Sequence, residues 1–206
     1  MSFPDRMPPD AGAYADAYFA ELARAQASID RSAIAAAADL LGTLYARGGT
    51  LFVCGNGGSA LIADSFNSDH AKLISTGTDI TPRVVALAGS LSLLTAIGND
   101  FGYDQVFVYP LKSLARPGDG LLTISSSGDS ENIVQALAWA RETGLDTVSF
   151  TGFGGGRSRT MADVNLHVAA DNYGIVEDVH QSLMHLLAHH IRAARMPEDR
   201  IAATAF

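Results

Sequence analysis

The chain is predicted to be an α/β protein: a mostly parallel sheet with helices on both faces. Three observations carry this. Short, uninterrupted apolar runs recur along the chain, helix-like stretches separate them, and the turns that follow them are rich in glycine or serine. Strands that read as continuous hydrophobic runs belong to a sheet covered on both faces, and parallel pairing needs the helical crossovers.

Residues 1–10 carry two charges ahead of Pro8-Pro9 and lack the apolar run of a signal peptide, so they read as a short ordered arm or a frayed leader. Residues 11–46 hold two glycines and no proline, and Phe19, Leu22, Ala25, Ile29, Ile34, Leu40, Leu41 and Leu44 recur near a 3.6-residue period. One or two helices are expected there, starting near Asp10 and ending at Gly48-Gly49. Strands are expected at 50–54, 83–88, 120–124, 147–150 and 165–168, and helices at 59–68, 131–142 and 174–191. The tail after Met196 is a short last helix or disordered. Neither a linker nor a repeat divides the chain. It is therefore expected to form a single domain over residues 1–206, with a helical segment at 11–46 and an α/β core at 50–192.

Bulk properties narrow the function classes. The 206 residues include 14 Lys plus Arg against 22 Asp plus Glu, a net charge of −8, with no basic stripe for nucleic acid. No run is long enough to span a membrane. Charged residues make up 17%, below the roughly 25% usual for soluble domains, which suggests surface buried between subunits. The single cysteine, Cys54, ends an apolar run and is expected to be buried and inert, and the chain to be cytoplasmic.

Two turns carry the chemistry. Gly55-Asn56-Gly57-Gly58-Ser59-Ala60 follows the first strand, and its glycines allow a ligand close to backbone N–H groups. It lacks the lysine of a P-loop, and no ribose-binding acid ends the second strand, so a dinucleotide reading is weak. Alone it is equally a tight strand-to-helix connection in which Ser59 caps the helix. The stronger signal is Ser125-Ser126-Ser127-Gly128-Asp129-Ser130, between a buried strand and a helix N-terminus. Orphan amides, the helix dipole and hydroxyls converge there on a seat for a phosphate. Capping needs one hydroxyl, Ser127 or Ser130, and four are present. Asp129 would repel a phosphate and is expected to turn away and cap the helix.

In order along the chain stand 55–60, Leu94-Thr95-Ala96-Ile97-Gly98-Asn99-Asp100, 124–130 with Asn132, and Thr151-Gly152 with Gly154-Gly155-Gly156. Together they closely resemble the sugar isomerase (SIS) domain family and, within it, the phosphoheptose isomerases. The resemblance implies a flavodoxin-like three-layer sandwich with a five-stranded parallel sheet, and a homotetramer with active sites between subunits. It implies that Ser125, Ser126, Ser127 and Ser130 hold a sugar phosphate while Asn56, Gly57 and Ser59 position it. The implied reaction interconverts sedoheptulose 7-phosphate and D-glycero-D-manno-heptose 7-phosphate, moving a proton between C1 and C2 through an enediol.

Several positions depart from the family pattern. A zinc-associated histidine and glutamate correspond to Ser65 and Asp69, and serine is a poor zinc ligand, so zinc is doubtful and the metal set is open. An expected aspartate corresponds to Ser90, a glutamine to Glu177 and an arginine to Ile175, while the family histidine is kept as His185. Residues 177, 181 and 185 share one helical face. His185 is the base candidate, Glu177 and Asp69 the acid candidates, and all three are plausible metal ligands. His180, three residues beyond Glu177, is placed to reach the same pocket or an adjoining subunit, His70 points about 100° away from Asp69, and His189 and His190 read as helix-end surface residues. These departures leave an alternative: a non-catalytic SIS protein that binds phosphosugars or assembles with another protein.

Overall fold

The computed structural model describes residues 3–204. Asp10 accepts a hydrogen bond from the Ala13 amide and opens α1 (Ala11–Ala27), and Asp30 does the same from Ser32 for α2 (Arg31–Ala46). The chain then alternates: β1 (Thr50–Gly55), α3 (Gly58–Ser68), β2 (Arg83–Ala86), α4 (Leu91–Asp100), α5 (Val108–Leu114), β3 (Gly120–Ser125), α6 (Glu131–Glu142), β4 (Asp146–Thr151), α7 (Ser158–Met161), β5 (Val164–His167), α8 (Tyr173–Ala193) and α9 (Glu198–Ile201). A π-helical turn, Asp69–Leu73, extends α3, and the chain leader ahead of α1 is tied down where Asn172 donates to the Phe3 carbonyl.

The five strands are all parallel, in the order β2-β1-β3-β4-β5. Leu51 and Val53 of β1 face one way, into a core shared with α2, α3 and α8. Phe52 and Cys54 face the other, against Ile97 of α4, Leu111 of α5 and Ile133 of α6. Strict alternation of face along a strand that is apolar on both sides produces this three-layer sandwich. The strand order reverses between β1 and β3, and in an open parallel sheet that reversal leaves a crevice at the carboxyl ends.

The expected strands and long helices all occur, with ends differing by one or two residues. Two features correct the reading. The stretch 91–114, given no element from sequence, holds α4 and α5; Ser90 caps α4 by accepting from the Leu93 amide, and Gly102, at φ 105°, separates the two helices. Phe19, grouped by its spacing with the apolar positions of residues 11–46, is 64% exposed. Cys54 is enclosed, and burial pushes its thiol pKa up, so it stays an inert thiol.

Candidate active site

The site begins where β1 and β3 end. Gly57 caps α3 at φ 57° and ψ −123°, a conformation open to glycine. Gly55 packs so tightly that a Cβ there would lie 2.5 Å from the Ser59 carbonyl oxygen. Ser59 lies inside the first turn of α3 and is buried, so the cap expected of it belongs to Gly57. Asn56 and Asn132 exchange amide hydrogen bonds of 3.0 and 2.9 Å, and the Tyr103 hydroxyl donates to Asn56 Oδ1 at 3.0 Å. These contacts lock the first turn to the start of α6. Tyr103 was invisible to sequence reasoning because it belongs to the stretch given no element.

The serine hydroxyls are only partly engaged within their own loop. Ser130 is the N-cap of α6 by position, yet its side chain makes no capping bond. Ser125 Oγ accepts from the Gly128 amide at 3.1 Å and Ser127 Oγ accepts from the Asp129 amide at 3.3 Å, which shapes the loop. Ser126 Oγ is buried without a hydrogen-bond partner among the described residues. A buried hydroxyl left in that condition is costly unless a ligand completes it.

Asp129 turns away from the loop, as expected, but does not cap the helix. It pairs with Arg157, whose Nε lies 2.6 Å from Asp129 Oδ1 and whose Nη2 lies 2.9 Å from Glu131 Oε2. The hydrogen bonds from Arg157 hold both carboxyls below their ordinary range. The glycine run after β4 buttresses the loop by close backbone contact: a Cβ on Gly128 would meet the Gly155 carbonyl oxygen at 2.0 Å.

Asn56, Ser59, Ser125, Ser126, Ser127 and Ser130 line one cleft, closed on its far side by Tyr173 and Glu177 of α8. Gly57, also expected to position a ligand, caps α3 and is not among the residues that line the cleft. The Glu177 carboxylate rests on Gly58, and burial, followed by the charge of Asp178, raises its pKa. Tyr173, missed in the sequence reading, packs against Phe153 with ring centroids 4.8 Å apart and the planes tilted by 51°.

The other two predicted residues form a second cluster. His185 Nε2 lies 3.6 Å from Asp69 Oδ2, with the Gln181 amide 3.4 Å from the same ring nitrogen. Eight residues of α8 separate His185 from Glu177, about 12 Å along the axis. The structure thus pairs Asp69 with His185 and Glu177 with the cleft; within one protomer the three do not converge. His180 does not reach the cleft. It is wholly buried, its ring facing the Thr151 backbone without hydrogen-bond geometry, and burial lowers its pKa to about 4. His70 does point away from Asp69, into the core.

Among the described residues no three His, Cys, Asp or Glu side chains are grouped to hold a metal, and Ser65 Oγ donates to the Leu61 carbonyl at 3.1 Å. No helix among the described residues is long and apolar enough to cross a membrane.

Residues 13–152 match the SIS domain family. A probable phosphoheptose isomerase of Thermoplasma acidophilum is 35% identical over 82% of this chain and 93% of its own. A phosphoheptose isomerase of Nitratidesulfovibrio vulgaris is 42% identical over 69% and 68%. The solved structure of phosphoheptose isomerase from Neisseria gonorrhoeae superposes with a TM-score of 0.81 at 33% identity, covering 89% of this chain and all of that one.

Proposed function

We propose, from the premise that this chain belongs to the SIS domain family and, within it, to the phosphoheptose isomerases, that it interconverts sedoheptulose 7-phosphate and D-glycero-D-manno-heptose 7-phosphate. The observation that carries this is the serine cradle at the end of β3, with the buried Ser126 hydroxyl aimed at no protein partner. A phosphate supplies the acceptor oxygens that complete it, and the α6 dipole favours the charge.

The reaction needs a base that takes a proton from C1 of the ketose and returns one to C2. The C2 carbonyl becomes a hydroxyl and the C1 hydroxyl an aldehyde, through an enediol and without net redox change. His185 is the base in this reading, oriented by Asp69. Glu177 is the acid that handles the oxygens. Burial, followed by the charge of Asp178, shifts its pKa upward, the direction that suits a proton donor.

We read the functional unit as a cytoplasmic, single-domain homotetramer with sites between subunits, in which the cleft of one protomer meets the Asp69–His185 pair of a neighbour. Support comes from the separation of the two clusters within a protomer and from the half-exposed His185 side chain. Incubation with sedoheptulose 7-phosphate in deuterated water tests the activity: deuterium at C2 of the aldose is expected. Absence of both exchange and aldose, with or without added zinc, overturns it.

A second reading, a phosphosugar-binding protein without turnover, draws on Ser65 and Ser90. Their hydroxyls are engaged in local helix contacts where the family carries a histidine and an aspartate. Calorimetric binding of the sugar phosphate without exchange would favour it.

A further inference from the structure

We propose that His70 is a positioning residue: it ties the π-turn to α8 and thereby sets the distance between Asp69 and His185. The inference deepens the isomerase reading and rests on it.

His70 is fully buried, with its ring 4.4 Å from that of Phe66. Its Nε2 lies 3.2 Å from the Met184 carbonyl oxygen and its Nδ1 lies 2.8 Å from the Tyr45 hydroxyl. A carbonyl can only accept, so Nε2 carries the hydrogen. The Nδ1 of a neutral ring then holds a lone pair, and Tyr45 must donate to it. One tautomer satisfies every group in the chain from Tyr45 to His70 to Met184. Through it α2, the π-turn and α8 are fixed to one another.

The tie sits one residue from each member of the pair. Asp69 precedes His70, and His185 follows Met184. The π-turn serves the same end. On it the two consecutive side chains diverge, His70 into the core and Asp69 toward His185 on the exposed face of α8. An aliphatic side chain would fill the same volume without demanding two polar partners. A satisfied polar chain adds geometric definition that an apolar contact lacks.

The test uses the full-length protein with H70L, H70Q and Y45F, measuring kcat, KM and calorimetric affinity for sedoheptulose 7-phosphate. Leu removes both hydrogen bonds. Gln keeps a donor and an acceptor separated by one carbon, as in the imidazole. In H70L, kcat is expected to fall roughly ten- to hundredfold, because small misplacements of reacting groups are costly. KM and affinity should stay within about twofold, because the phosphate cradle is untouched. H70Q should recover most of the loss, and a crystal structure of H70L should show the Asp69–His185 pair separated.

Wild-type kcat in H70L, or an H70Q as slow as H70L, overturns the proposal. Should H70L fail to fold, Y45F decides: a fall in kcat at unchanged KM upholds it, and an unchanged kcat overturns it. An active wild type with an indifferent H70L removes this inference alone. A wild type that exchanges no deuterium removes the isomerase reading and this inference with it.

Discussion

The Glu177 carboxylate lies against Gly58: a Cβ built on Gly58 would stand 2.3 Å from Glu177 Oε2 and 2.6 Å from its Cδ. The absence of a side chain at the first position of α3 is what admits an acid to the cleft wall. Gly58→Ala should therefore destabilise the protein by about 1–3 kcal/mol, the usual cost of overpacking, and displace the carboxyl group. In the Glu177→Ala background the clash disappears. There the better helix propensity of alanine should make the same change neutral or stabilising by up to about 1 kcal/mol. Urea unfolding of the four proteins reads the cycle; equal effects in both backgrounds would show that the contact is not what selects glycine.

If the serine loop holds a phosphate as proposed, Ser126 should separate ligand binding from folding. Its hydroxyl has no partner among the described residues, so Ser126→Ala removes no internal hydrogen bond and should leave Tm unchanged or slightly higher. Affinity for the sugar phosphate should fall by about tenfold or more, the worth of a hydrogen bond to a charged group. Ser125→Ala, which also loses the contact to the Gly128 amide, should reduce both affinity and Tm. Calorimetry with thermal melts distinguishes the two variants.

In the proposed reading of the serine loop, Arg157 offsets a charge that would otherwise face a bound phosphate. It holds Asp129 and Glu131 together at the head of α6, on an exposed surface. Arg157→Ala should weaken sugar-phosphate binding by about three- to fivefold, in line with exposed ion pairs, and the deficit should shrink at high salt. Asp129→Asn in the Arg157→Ala background should restore affinity, since the repelling carboxylate is gone. A double variant as weak as the single one would mean that Arg157 acts by shaping the loop.

The parts of this molecule that follow from local pattern were legible in the sequence. The apolar runs at 50–54 and 120–124 are strands because both sheet faces are covered, and the serine cluster after the third strand lines the cleft. The unread parts depend on partners distant in the chain. Asp129 looked like a cap because nothing nearby announces Arg157, 28 residues on. The helices at 91–114 escaped notice because Leu91, Leu93, Phe101 and Tyr109 are exposed, which blurs the period of a one-sided helix. The π-turn has no sequence signature, since the contacts of His70 with Tyr45 and Met184 hold it. His180 seemed available to the cleft by spacing, yet it lies on the buried side of α8.

Two of these buried histidines should govern acid stability. Burial lowers the pKa of His70 to about 3 and of His180 to about 4, against about 6.5 in an unfolded chain. Between those limits the unfolded state binds protons that the folded state refuses, so stability rises with pH across the window. The contribution is complete above about pH 6.5 and is lost as pH falls toward 4 and then 3. At pH 5 each histidine should cost roughly 2 kcal/mol relative to neutral pH. Urea unfolding at pH 7.5, 6 and 5 should show that decline. His70→Gln, which cannot take up a proton when unfolded, should flatten it by about half, and a variant with an undiminished slope would place the acid sensitivity in the carboxylates instead.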